Sequence, residues 1–232
     1  MKNKTLETLR RGLIVSCQAL PDEPLHSEEI MARMAVAAQQ GGAVGIRANG
    51  VKDIQAIRSQ VALPVIGIIK REYANSDVYI TPTQQEIDEL AATKCEIIAV
   101  DATSRHRPNG TTLVELVAYT RQHYPHLLLM ADCASVADVE QAERLGFDII
   151  APTLVGYTAE SQSDDIQTNE FALLKAMRAA TTAYFIAEGN MNTPVIAKQA
   201  LQLGADSVVV GSMITRPQVI TKRFVDELTT NK

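Results

Sequence analysis

LLLMADCASVADVEQAERLGFDIIAPT, residues 127–153, contains one complete repeat of the fold. It opens on a continuous apolar run that stops at Asp132. Ser135 then provides a side-chain oxygen of the kind that caps a helix, and a helical segment over 135–145 ends at Gly146. A second apolar run, DIIAPT over 148–153, follows at once. Neither run alternates apolar with polar residues. Both faces of such a strand are buried, as in a parallel sheet covered by helices.

The same unit recurs in both directions. The runs are GLIVSCQ (12–18), AVGIRA (43–48), PVIGIIK (64–70), EIIAVDA (96–102), LLLMAD (127–132), DIIAPT (148–153), AYFIAEG (183–189) and DSVVVGS (206–212). Helical segments lie between them. Residues 27–40 start at Ser27 with Glu28 and Glu29 in the first turn and end at Gly41-Gly42. Pro82-Thr83 opens TQQEIDELAAT, Thr193-Pro194 opens a helix closed by Gly204, and a last helix runs over 217–228. Eight strand–helix repeats in 232 residues predict one (β/α)8 barrel domain over 1–232. The alternative is an open doubly wound sheet. That fold carries GxGxxG after its first strand, where this chain has SCQALPDEP.

Bulk composition narrows the partners. The net charge is -5 and no segment concentrates Lys or Arg, which argues against nucleic acid or an anionic membrane as the main partner. The chain has no tryptophan for base stacking, no apolar stretch of membrane-span length, and no leader-like apolar core in MKNKTLETLRRG. Cys17, Cys95 and Cys133 show no CxxC spacing and read as buried thiols in a reducing cytoplasm. His123 and His126 have no third ligand nearby in sequence, so no metal site is expected.

In a (β/α)8 barrel the chemistry sits at the C-terminal strand ends. Lys70 closes an apolar run there, and a desolvated lysine with a lowered pKa can act as a base or a Schiff-base nucleophile. The competing reading is a structural lysine paired with a carboxylate. Glu188 follows YFIA and either ion-pairs or does acid–base work. Asp132 is placed to bind a hydroxyl or hold the lysine, while Asp101 equally caps its loop. Gly189 with Gly211, Ser212 and Arg216 in VVVGSMITRP matches the phosphate-binding element of barrels after strands seven and eight. Arg47 offers a further cation for that phosphate, or a salt bridge at the rim. The polar insertion over 156–169 reads as a solvated loop, with a mobile lid as the alternative.

These residues also carry a resemblance. Gln18 in SCQA, Arg47 in GGAVGIRANGV, Lys70 in GIIKREY with YITPT following, Asp132 in MADCAS, TLVGYT from Thr153, Glu188 in AEGN and Gly211-Ser212 all stand in one order. The chain resembles the N-acetylmannosamine-6-phosphate 2-epimerases of sialic-acid catabolism over nearly its whole length. It departs from the family pattern at Cys133-Ala134, Val155 and Asn190. The resemblance implies inversion at C2 of N-acetylmannosamine 6-phosphate, with Lys70 and Glu188 as the acid–base pair. It also implies Gln18 and Asp132 on the sugar hydroxyls, and no metal or cofactor. Rival readings are a Schiff-base aldolase, another phosphate-binding barrel isomerase, and a non-catalytic phosphosugar binder. The apolar residues Val219, Ile220, Phe224, Val225 and Leu228 of the last helix suit packing on a partner or on the chain's own barrel, and a homodimer is the expectation.

Overall fold

The computed structural model describes residues 2–229. Eight strands follow in chain order: β1 (Leu13–Cys17), β2 (Gly45–Asn49), β3 (Val65–Ile68), β4 (Ile97–Asp101), β5 (Leu128–Asp132), β6 (Ile149–Ala151), β7 (Tyr184–Ala187) and β8 (Ser207–Val210). Each pairs in parallel with the next, and β8 pairs with β1. The sheet is a closed (β/α)8 barrel, which removes the open-sheet alternative.

The outer ring is α2 (Glu28–Gln40), α3 (Val51–Gln60), α4 (Gln84–Ala92), α5 (Leu113–His123), α6 (Val136–Arg144), α7 (Thr168–Ala179) and α8 (Pro194–Gln202). Two helices follow β8, the short α9 (Ser212–Thr215) and α10 (Pro217–Thr229). Side-chain caps fix where several helices begin. Ser27 and Ser135 accept from Ile30 N–H and Asp138 N–H, and Thr83 forms a reciprocal capping box with Glu86. A first helix, α1 (Lys2–Leu9), was not foreseen from the charged N-terminal sequence. It sends Leu9 into the barrel's interior beside Ile14.

Residue parity sorts the two cores. In β4, Ile97 and Ala99 belong to the inner cluster, while Ile98 and Val100 face the helices. In β5, Leu128 and Met130 point in, and Leu129 and Ala131 point out. Successive residues of a strand face opposite sides, so an unbroken apolar run serves both layers. Continued past the last apolar inner residue, the same parity reaches Lys70, Asp101, Asp132, Thr153, Glu188 and Gly211. The chemistry of the mouth is therefore the top layer of the barrel's own packing.

The opposite end is stapled. Glu96, Asp148 and Asp206 stand immediately before β4, β6 and β8, and accept the N–H of Val65, Leu129 and Phe185, each at 2.9 Å. Arg58, Arg121 and Arg10 pair with the same three carboxylates at 2.8, 2.8 and 2.9 Å. Charge-assisted bonds of this kind lock the register of neighbouring strands at the end away from the mouth.

Candidate active site

Lys70 is held by its backbone. Its N–H donates to Asn49 Oδ1 at 2.8 Å, and the chain then folds back so that Lys70 bridges Ile80 in antiparallel fashion. Arg71 pins the turn by pairing with the buried Glu86 and with Glu89, and the Tyr73 hydroxyl donates to Glu86 at 2.9 Å. The side chain is partly buried and lines the cavity at the mouth. Burial lowers its pKa to about 8, helped by the cations Arg47 and Arg216 and opposed by Glu188 and Glu23.

Glu188 shifts the other way. Burial, reinforced by the nearby Asp132 charge, pushes its carboxyl up to about 7 against the pull of Arg47 and Lys70. Arg47 Nη1 donates to Glu188 Oε2 at 2.8 Å. The same guanidinium forks onto Asp132, Nη1 to Oδ1 at 3.1 Å and Nη2 to Oδ2 at 2.6 Å. Thr153 Oγ1 donates to Asp132 Oδ1 at 2.7 Å. Arg47 is 1% exposed and Asp132 is fully buried.

Of the two readings of Arg47, a cation for phosphate or a salt bridge, the contacts present are salt bridges, to Asp132 and Glu188. Asp132, read as a hydroxyl binder or a partner of the lysine, accepts from Arg47 and Thr153. Burial is what favours the protonated form of Glu188; the Asp132 charge adds to it, and the Arg47 guanidinium opposes both. Asp101 is a loop cap, accepting from the N–H and hydroxyl of Thr103 and pairing with Arg105.

The phosphate element lies across the mouth. Gly189 adopts φ 115°, a left-handed backbone that a side chain would strain. Gly211 precedes α9, and Thr215 Oγ1 reaches back to donate to Ser16 O at 2.8 Å. Arg216 donates to Ser212 Oγ at 3.1 Å. It also forks onto Glu23, with Nε–Oε1 at 2.6 Å and Nη2–Oε2 at 2.9 Å. That pairing holds the Glu23 carboxyl below its usual range. Gln18 Nε2 donates to Ser16 Oγ, while its Oε1, in a side chain only 8% exposed, finds no partner among the described residues.

These groups line one cavity of about 520 Å³ that includes Gln18, Lys70, Glu188, Gly189, Ser212 and Arg216. Tyr79, Tyr157, Met191 and Arg223 also line it and were not singled out from sequence. The 156–169 insertion is folded on itself. Ser161 Oγ accepts from Gly156 N–H and donates to Leu154 O, and Ile166 is buried. Among the described residues there is no group of three or more His, Cys, Asp or Glu that could hold a metal ion. No helix of the described residues is long and apolar enough to cross a membrane.

A closed parallel barrel with a lysine, a glutamate and the Gly211–Arg216 turn facing one cavity defines a (β/α)8 protein with a polar site at the C-terminal strand ends. Comparison with known proteins is specific. A family described as "Putative N-acetylmannosamine-6-phosphate epimerase" matches residues 31–230. A relative from Listeria welshimeri, named "Putative N-acetylmannosamine-6-phosphate 2-epimerase", is 52% identical over 228 residues, covering 98% of this chain and 97% of the relative. One from Enterobacter sp. (strain 638) with the same name is 56% identical over 220 residues, covering 95% and 94%. The solved N-acetylmannosamine-6-phosphate 2-epimerase of Clostridium perfringens superposes with TM-score 0.90 at 52% identity, covering 96% of this chain and 95% of that one. Thiamine phosphate pyrophosphorylase from Pyrococcus furiosus, at 15% identity and TM-score 0.61, shares the fold. The chain belongs to the NanE family of N-acetylmannosamine-6-phosphate epimerases.

Proposed function

We propose that this chain, acting as one domain, interconverts N-acetylmannosamine 6-phosphate and N-acetylglucosamine 6-phosphate by inverting C2 without a metal ion. The observation that carries the mechanism is the convergence of two titrations in one mouth, lysine downward to about 8 and carboxylic acid upward to about 7. Two such groups exchange protons with a carbon acid near neutral pH far better than a lysine and a glutamate at their ordinary values.

In the open-chain aldehyde the C2 proton is acidic, because the electron pair it leaves is delocalised onto the C1 oxygen. Neutral Lys70 takes that proton and becomes an ammonium. The carboxylic acid of Glu188 returns a proton to the opposite face, and the electrons go back from oxygen to form the new C2–H bond. A proton then passes from Lys70 to Glu188 to restore the pair. In the reverse direction the roles exchange. The ammonium of Lys70 stabilises the enolate, and Arg47 with Asp132 keeps the Glu188 carboxyl aimed. Gln18 Oε1 is available to accept from a substrate hydroxyl or amide, and Gly189, Gly211, Ser212 and Arg216 take the phosphate.

The test is proton NMR of the two sugar phosphates in D₂O, with chelator present. Deuterium at C2 of the product is the expected result. Product without deuterium removes deprotonation at C2. A substrate adduct trapped by borohydride on Lys70 would favour the aldolase reading instead.

We also propose a cytoplasmic homodimer. Phe224 and Leu228 on α10 are 68% and 78% exposed, and no residue of that helix is buried. Sedimentation of Phe224→Glu should show monomer where the unmodified chain shows dimer; an unchanged dimer places the interface elsewhere.

A further inference from the structure

The cations of the mouth are not equally free. Arg47 has its charge answered by the two carboxylates of Asp132 and Glu188. Arg216 is the anion-binding side chain legible in VVVGSMITRP, but its fork already grips Glu23. A phosphate meeting Arg216 alone would meet a guanidinium whose charge is largely answered. Arg223 is different. It lines the same cavity from α10, and among the described residues no carboxylate lies within salt-bridge distance of it. Its Nη1 contacts the Asn192 carbonyl and the Met213 sulfur. Asn192 belongs to the segment after β7 that begins with Gly189, and Met213 lies in α9 beside Ser212. Arg223 therefore stands over the two segments that make the phosphate element.

We propose that Arg223 is a second anchor for the substrate's phosphate, supplied by α10, and that it sets the preference for phosphorylated over neutral amino sugars. A phosphate dianion needs more positive charge than the Arg216–Glu23 pair offers. Arg223 lines the cavity that Gly189, Gly211, Ser212 and Arg216 also line. The proposal rests on the phosphosugar reading of the mouth and adds a residue to it. Arg223 holds the remote end of the substrate, so its contribution belongs to binding rather than to the reacting carbon.

The experiment compares Arg223→Ala, Arg223→Lys and Lys222→Ala. Lys222 is the adjacent cation on α10, engaged with Asp226. Calorimetric titration with inorganic phosphate should show Kd raised about tenfold in Arg223→Ala, less in Arg223→Lys, and unchanged in Lys222→Ala. With N-acetylmannosamine 6-phosphate, KM should rise in parallel while kcat stays within about twofold. Turnover of unphosphorylated N-acetylmannosamine, measured at high enzyme concentration, should be the same in all four proteins. A phosphate Kd within about threefold of the unmodified protein overturns the proposal. So does equal loss on both sugars, or equal loss in Arg223→Ala and Lys222→Ala, either of which marks a merely structural role for α10. If neither sugar is turned over, the epimerase reading fails, and the inorganic phosphate titration still decides the role of Arg223.

Discussion

Replacing Glu188 by Gln freezes the side chain in a form that resembles its protonated state. In the native fold the Glu188 carboxyl titrates at about 7, against an ordinary value of 4.5. A group whose pKa is raised by folding binds its proton more tightly in the native state. Its stabilising contribution is complete below pH 4.5 and falls as pH rises, until it is lost above pH 7. The two values differ by about 2.5 pH units, which at about 1.4 kcal/mol per unit amounts to about 3–4 kcal/mol. Glu188→Gln has no such dependence. The difference in unfolding free energy between the two proteins should therefore shift by about 3–4 kcal/mol in favour of the variant between pH 4 and pH 8. Urea denaturation at half-unit pH steps measures this, and subtracting one protein from the other cancels every carboxylate they share. Turnover should be lost in the same variant. A flat difference curve would refute the reasoning, because it would mean that burial and Asp132 do not hold the proton on Glu188. A variant that still inverted C2 would assign both faces of the carbon to Lys70, whereas C2 deuterium exchange without inversion is what Lys70 acting alone on its own face should give.

Lys70→Ala should abolish turnover while leaving the affinity for inorganic phosphate within about threefold, since the phosphate element is built by other residues; calorimetry and NMR together check this. The rate should follow a bell centred near pH 7.5, falling tenfold per unit below about 7 and above about 8, because the forward reaction needs neutral Lys70 and protonated Glu188. Those limbs belong to the coupled pair, and a broad plateau from pH 6 to 9 would contradict the assignment. Asp132→Asn should destabilise the fold by about 3–5 kcal/mol in chemical denaturation, because the buried Arg47 fork loses its main counter-charge. It should also move the Glu188 limb to lower pH, since a charge that raises that carboxyl is gone.

The barrel was legible because its strands are buried on both faces, which leaves continuous apolar runs that cap residues and glycines punctuate. Lys70 and Glu188 were legible for the same reason, since a charge that ends such a run has nowhere to go but the mouth. The partnership of Arg47 with Asp132 was not. The two residues are 85 positions apart on β2 and β5, and only the closed ring brings those strand ends together across the interior. Asn49 and Thr153 were within reach of the parity rule, since each continues the inward face of its strand. Glu23 and Arg223 were not, because one lies in a loop and the other on a helix whose periodicity gives no sign of which face meets the cavity. The apolar residues of α10 drew attention to its exposed side and away from Arg223.

The meeting of β1 with β8 carries a consequence for how the ring forms. Ser16 and Thr215, Glu23 and Arg216, and Arg10 and Asp206 join the first and last repeats across 199, 193 and 196 positions of chain. Contacts that distant cost the most loop entropy and tend to form late. The turn proposed to hold the phosphate is built on that junction, so it is complete only when the ring is closed. An anion bound there would act as a clasp on the finished ring, favouring the fully closed barrel over any species that stops one repeat short.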